Sequence, residues 1–105
     1  MVDLTSMPFD QFQASAAKAS RLLKALSNES RLMILCQIGE GERQVCDFDL
    51  GLSQSALSQH LARLRDEGLV VGRRQGTAVF YRIVDPSALR VITTLAEIYC
   101  PTVAG

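Results

Sequence analysis

The 105-residue sequence has no long apolar run, only three cysteines and no net charge. No apolar stretch approaches the roughly 18 residues that a helix needs to cross a bilayer, so we predict no membrane span and no membrane partner. The first residues show no basic region leading into an apolar stretch, and we therefore expect a cytoplasmic protein without a signal peptide. In that compartment the cysteines should be thiols rather than structural disulfides.

Features typical of enzymes are also missing. There is no Gly-rich phosphate loop and no paired acid cluster, and the sequence contains a single histidine, His60. A Cys–His nucleophilic pair is conceivable, but His60 falls in a segment with another predicted role. We therefore expect a protein that is not an enzyme and needs no cofactor.

Although the net charge is zero, the charges are unevenly distributed. Residues 53–84 contain five arginines against two acidic residues, whereas the rest of the chain has six basic and nine acidic residues. Phosphate binding depends on the local basic surface rather than on the total charge. This segment is therefore a candidate for binding nucleic acid, with an ordinary solvated basic surface as the alternative.

An apolar content of 48% predicts one folded domain. Apolar periodicity and turn residues predict six elements: helices over residues 9–26, 29–38, 45–52 and 54–67, a hairpin over residues 69–84 turning at Gln75-Gly76, and a helix over residues 86–100. The expected helix caps are Ser27 or Asn28, then Ser53, then Asp85 followed by Pro86, with Gly68 ending the fourth helix.

This order predicts a mainly α fold with a small β-hairpin, a winged helix-turn-helix domain. Residues 45–67 would form the helix-turn-helix and residues 69–84 the wing. The helices over residues 9–26 and 86–100 carry apolar stripes that a core of this size need not cover. They predict a homodimer, unless both stripes complete the core of a monomer.

The helix over residues 54–67 is the predicted recognition helix, because short polar and amide side chains near its start can donate to and accept from base edges. Its helix amides and the wing arginines could bind phosphate. The candidate DNA-binding residues are Ser53, Gln54, Ser55, Ser58, Gln59, His60, Arg63, Arg73, Arg74 and Thr77.

Four segments together resemble the ArsR/SmtB family of bacterial repressors. They are residues 24–32, 52–61 with its Leu-Ser-Gln-x-x-Leu-Ser-x-His-Leu run, 64–70 and 79–81, and the resemblance spans about residues 16–100. It implies a homodimer built on the first and last helices and a double-stranded operator that is released when an inducer is sensed. One departure is that the segment between Val45 and Ser53 is shorter than is usual in the family.

Two metal-sensing patterns of that family are incomplete here. The thiolate box resembles residues 42–47, but Gln44 stands where the first cysteine would be, which leaves Cys46 alone. A single thiolate is a poor site for a soft metal. The zinc and nickel branch uses histidine on the last helix, which has none in this chain. Cys46 is therefore only a weak metal candidate.

The cysteines at positions 36 and 100 resemble those of a third branch, the sulfide- and persulfide-responsive repressors of the SqrR/BigR type and the related activator HlyU. That resemblance implies that Cys36 and Cys100 react with low-molecular-weight persulfides or oxidants and become bridged, which switches operator binding. Three alternatives remain: cysteines that only fill the core, a thiolate metal sensor pairing Cys46 with another cysteine, and an anti-activator that needs no effector.

Overall fold

A computed structural model describes residues 5–100 of the chain. The elements follow in the order α1 (Phe9–Leu26), α2 (Glu29–Ile38), β1 (Glu42–Gln44), a single 3-10 turn (Val45–Asp47), α3 (Gln54–Asp66), β2 (Val70–Gln75), β3 (Ala78–Ile83) and α4 (Pro86–Tyr99). The predicted mainly helical fold with a small hairpin is confirmed. Among the described residues, no helix is long and apolar enough to cross a membrane.

Side-chain caps fix where three of the helices begin. Asn28 and Ser53 each accept a hydrogen bond from the backbone N–H three residues later, at 3.0 and 3.1 Å. Asp85 accepts one from the N–H of Ser87 at 2.8 Å, and Pro86 is the first residue of α4. Each cap satisfies an amide that the helix leaves without an internal partner. These starts are as predicted, with Asn28 rather than its neighbour as the cap of α2.

The sheet has three strands, with β3 in the middle and antiparallel to both β1 and β2. Gln75 pairs with Ala78, so Gly76 and Thr77 form the two-residue turn of the hairpin. Gly76 has a φ of 62°, a left-handed conformation that favours glycine. The predicted hairpin is confirmed, but its turn lies one residue later than expected.

The core is built around α2, which packs against α1, α3, α4, β1 and β3. Its largest fully buried side chains are Ile34 and Leu35 of α2, Leu64 of α3 and Val70 of β2. A buried guanidinium, that of Arg31, donates to the carbonyl of Ala25 at 2.6 Å and so closes the corner between α1 and α2. The core therefore fixes α3 and the hairpin against the same helix.

The predicted helix over residues 45–52 is wrong. That stretch holds only the 3-10 turn Val45–Asp47, and no helix resumes before Gln54. Gly51 takes a left-handed φ of 67°, which an α-helix does not contain. A segment this short cannot form many i to i+4 hydrogen bonds, so contacts from elsewhere in the chain decide its conformation.

Those contacts come from Gln37 and Arg43. The Gln37 amide donates to the carbonyl of Asp49 at 3.2 Å and accepts from its N–H at 3.4 Å. Arg43 donates to the carbonyls of Gln37 at 2.8 Å and Asp47 at 3.0 Å, and its guanidinium lies 5.9 Å from the ring centre of Phe48. We call this set of contacts the tether, since it ties the segment before α3 to the end of α2.

The apolar stripes of α1 and α4 extend beyond the core of the single chain. On α1 only Ala25 and Leu26 are buried, whereas Phe9 is 76% exposed. On α4 the end of the helix is open, with Ile98 64% and Tyr99 78% exposed. The stripes therefore do not simply complete the core of the described chain.

Candidate DNA interface and cysteine pair

One face of α3 is buried and the opposite face is open. Leu57, Leu61 and Leu64 recur at helical spacing and pack into the core. The predicted DNA-binding residues on or next to α3 that are exposed are Ser53, Gln54, Ser55, Ser58, Gln59 and Arg63. His60 lies at the border of the two faces and is half-buried. The open face thus presents hydroxyl and amide groups together with the guanidinium of Arg63, which pairs loosely with Glu67 at 3.8 Å.

The hairpin places the other predicted DNA-binding residues near its tip. Arg73 and Arg74 are exposed on β2, and Thr77 is exposed in the turn. Directly opposite residues of an antiparallel pair share a face of the sheet. Arg74 is opposite Val79, so it shares the face of Val79 and the buried Tyr81. Arg73 is opposite Phe80 and lies on the other face.

The two arginines also differ in their partners. Arg73 makes two hydrogen bonds to the Glu42 carboxylate, at 2.6 and 3.1 Å, and a third to Gln75 at 3.0 Å. Its guanidinium lies 4.7 Å from the ring centre of Phe80. The hydrogen bonds between Arg73 and Glu42 lower the pKa of Glu42 and raise that of Arg73. Within residues 5–100, no ion pair engages Arg74.

A groove of about 740 Å³ separates α3 from the hairpin. Gln54 and Ser58 line it on the helix side, and Thr77 and Val79 line it on the sheet side. Three of the candidate DNA-binding residues, Gln54, Ser58 and Thr77, therefore border one concave surface. Cys46, from the 3-10 turn, also lines this groove, and its thiol approaches the Asp47 carboxylate at 3.7 Å.

Cys36 lies on α2 and Cys100 directly follows α4, and these two helices pack against each other. Cys36 is in the last turn of α2, and Cys100 follows α4, where its N–H donates to the carbonyl of Ala96 at 2.9 Å. Both are free thiols, and both residues are exposed. Neither is therefore simply a small core residue.

The two thiols are close enough to influence each other electrostatically. Shielding by neighbouring protein atoms raises the pKa of Cys36, although the residue as a whole is exposed, and the negative charge of a Cys100 thiolate raises it further. A like charge has this effect only when it lies nearby. Position and electrostatics thus bring together the two cysteines that the sequence singled out.

Comparison with known proteins now identifies the family. The model described as bacterial regulatory protein, arsR family, matches residues 28–71. The regulator YgaV of Escherichia coli is 45% identical over 87% of this chain and 95% of its own length. The chain belongs to the arsR family. The transcriptional activator HlyU of Vibrio cholerae is 44% identical over 90% of this chain and 89% of its own, and the biofilm growth-associated repressor of Agrobacterium fabrum is 35% identical over 94% and 86%.

Solved structures agree with this assignment of the fold. Reduced HlyU from V. cholerae superimposes with a TM-score of 0.84 at 43% identity, covering 89% of this chain and all of that one. The repressor BigR from Xylella fastidiosa gives 0.81 at 35% identity, covering 91% and 100%. This arsR-family chain is therefore a winged-helix DNA-binding transcriptional regulator of the HlyU/BigR-like branch, and not an enzyme.

Sequence reasoning missed three residues of this arsR-family site: Gln37, Glu42 and Arg43. Glu42 contacts a residue 31 positions later, and Gln37 contacts one 12 positions later. No local periodicity records such contacts. One signal could have indicated them. A segment too short to form a stable helix has polar groups that need partners elsewhere in the chain.

Proposed function

We propose that the chain is a homodimeric repressor that binds operator DNA through α3 and the wing, and that a bridge between Cys36 and Cys100 releases the DNA. The observation that carries the switch is the placement of two exposed thiols, one in α2 and one at the end of α4, on helices that pack against each other. The raised pKa of Cys36, to which Cys100 contributes, agrees with that placement. Two relatives support the proposal. One solved structure is described as reduced HlyU, which supports a redox switch, and another relative is described as a biofilm growth-associated repressor, which supports repression.

The dimer would form through α1 and α4. Both helices carry large exposed apolar side chains in the single chain, such as Phe9 and Phe12 on α1 and Tyr99 at the end of α4. Pairing them about a two-fold axis would bury these side chains and present two α3 helices to successive major grooves, about 34 to 36 Å apart. Operator DNA would accordingly contain two related half-sites.

Base reading falls to the open face of α3. Gln59 and Gln54 carry amides that can pair with adenine in a bidentate way, and Ser55 and Ser58 can donate or accept. The amides at Ser53 and the start of α3 suit a phosphate, because a helix N-terminus attracts anions. Arg63, His60, Thr77 and the wing arginines Arg73 and Arg74 complete the proposed contact surface.

The proposed bridging reaction is a two-step thiol–persulfide exchange. One thiolate of the pair attacks the outer sulfur of a low-molecular-weight persulfide RSSH, which forms a cysteine persulfide and releases RSH. The other cysteine then attacks the inner sulfur of that persulfide, forming the disulfide and expelling hydrogen sulfide. The cysteine pair loses two electrons and RSSH gains them. Hydrogen peroxide as oxidant would instead yield the same disulfide and two waters.

Bridging affects DNA binding only to the extent that it favours a different arrangement of the chain. If the bridged arrangement binds DNA less well, linkage lowers operator affinity by that same free energy. A coupling of about 1–3 kcal/mol corresponds to a loss of roughly 5- to 150-fold. That range is enough to release the promoter.

The first prediction tests this switch directly. Glutathione persulfide should weaken binding of the wild-type protein to its operator roughly 5- to 150-fold, and a reductant should restore it. Cys36→Ser and Cys100→Ser should each bind DNA but not respond. Cys46→Ser is the matched control and should respond as the wild type does. A mapped Cys36–Cys100 bridge with unchanged affinity would reject the proposal.

A thiolate metal sensor is the second candidate, because relatives include an arsenical resistance operon repressor that is 46% identical over 66 residues. Within residues 5–100, no group of three or more His, Cys, Asp and Glu residues could hold a metal ion. Any such site would therefore pair Cys46 with another cysteine or a second subunit. Equilibrium dialysis with arsenite, cadmium and zinc distinguishes the two candidates, since only the metal sensor binds them tightly.

A further inference from the structure

Arg73 and Glu42 join the two outer strands of the sheet across the middle one. Glu42 is on β1 and Arg73 is on β2, and both strands pair only with β3. The Arg73 side chain crosses over the Phe80 ring of β3, and its Nε and one terminal nitrogen contact both oxygens of the Glu42 carboxylate. Such a bidentate pair fixes orientation as well as distance.

The alternation of side chains along β2 separates this arginine from its neighbour. Val70, Gly72 and Arg74 share one face, the face on which Tyr81 is buried and which borders the groove beside α3. Arg73 points to the opposite face. Two adjacent arginines that look equivalent in the sequence therefore have different surroundings.

We infer that Arg73 is a positioning residue that holds the wing in place through Glu42, and that Arg74 is the arginine of this pair that binds DNA phosphate. The inference rests on the proposed DNA-binding role of the wing and divides that role between two residues. Each of the three nitrogens of the Arg73 guanidinium already donates a hydrogen bond, two to Glu42 and one to Gln75. Arg74 has no ion pair among the described residues.

The position of β1 explains what this contact would control. β1 ends at Gln44 and leads directly into the 3-10 turn and the segment before α3. A link from β1 to β2 therefore connects the wing to the segment that precedes the recognition helix. Losing it would leave the strands paired at their backbones but let the wing shift relative to α3.

The second prediction uses the salt dependence of DNA binding, because each phosphate contact contributes a slope of about 0.9 to the plot of log affinity against log salt. The probe is a fluorescent duplex of mixed sequence, about 30 base pairs long, which spans two half-sites. Arg74→Gln should reduce the slope by about 1.8 in a dimer with two wings. Arg73→Gln should weaken binding severalfold and leave the slope unchanged.

Charge-conserving and charge-removing variants sharpen the test. Arg73→Lys keeps the positive charge but cannot make the bidentate contact, so it should behave like Arg73→Gln. Glu42→Gln should also weaken binding at unchanged slope, even though it removes a negative charge. Glu40→Gln is the control for charge removal nearby and should not weaken binding. Melting temperatures of all the variants should stay close to that of the wild type, since an exposed ion pair contributes little to stability.

Two outcomes would overturn the inference. One is an Arg73→Gln slope that falls as far as that of Arg74→Gln, and the other is Arg73→Lys binding as tightly as the wild type. Either would make Arg73 a phosphate ligand while leaving the DNA-binding function intact. A wild-type protein whose affinity for the duplex did not depend on salt would instead contradict the proposed DNA-binding surface as a whole.

Discussion

Cys36 is the single residue whose chemistry depends most clearly on its surroundings. Shielding of the thiol by neighbouring protein atoms is the larger cause of its raised pKa, and the charge of a Cys100 thiolate is the smaller one. A raised pKa means that less thiolate is present near neutral pH, and that its reactivity increases as pH rises through the raised value. Cys36 is therefore slower to react than an unperturbed thiol unless something lowers that pKa.

The third prediction concerns the pKa of Cys36. Cys100→Ser should lower the pKa of Cys36 because it removes the nearby negative charge, while the contribution of burial stays. Alkylation of Cys36 by iodoacetamide, followed by mass spectrometry across pH, should then accelerate at lower pH than in the wild type. Cys46→Ser should leave the profile where it is. An unmoved profile in Cys100→Ser would show that the two sulfurs do not interact.

Among the helices and strands, features set by neighbouring residues could be predicted from the sequence, and features set by remote contacts could not. The starts of α2, α3 and α4 depend on the cap residues Asn28, Ser53 and Asp85, which act within three positions, and all three were predicted. β1 is only three residues long and exists because β3 pairs with it. No local pattern could reveal it.

The segment before α3 shows that remote contacts can also override a local pattern. Its apolar residues were interpreted as a helix, but the tether from Gln37 and Arg43 determines an irregular path. The exposed position of most candidate residues on α3 was predictable, because polar residues opposite a leucine stripe follow directly from helical spacing. Their unequal partners, such as those of Arg73 and Arg74, required the fold.

The fourth prediction concerns the tether. Gln37→Ala removes two hydrogen bonds to the backbone of Asp49, so the free energy of unfolding should fall by about 0.5–1.5 kcal/mol. Amide hydrogen exchange should increase around residues 48–50, and DNA affinity should fall because α3 starts from a looser segment. Gln13→Ala, an exposed glutamine on α1, is the matched control. Unchanged exchange around Asp49 would show that the tether is dispensable.

For the molecule as a whole, the exposed stripes of α1 and α4 would leave the single chain incomplete without the proposed partner. Phe12 is 45% exposed and Leu23 is 59% exposed on α1, and several large exposed apolar side chains on one helix are typical of a partner surface. Folding and dimerisation are then linked, and measured stability should rise with protein concentration.

The fifth prediction tests that link. Phe12→Asp should raise the dimer dissociation constant about a hundredfold or more, because two copies each lose roughly 1.5 kcal/mol or more of apolar burial. Sedimentation velocity across a dilution series measures this shift, and operator affinity should fall with it. Gln13→Asp places the same charge one residue along the helix and should remain dimeric. A Phe12→Asp protein that sediments as a stable dimer would place the interface elsewhere.

Both sulfurs of the proposed bridge belong to one polypeptide, on helices that already touch. Closing the ring is then a first-order event whose speed does not depend on how many copies of the protein a cell contains. Only the initial encounter with a persulfide or oxidant is bimolecular, and the small molecule supplies its concentration. A regulator present at a few copies would consequently respond as promptly as an abundant one, and its response time would track the dose of effector.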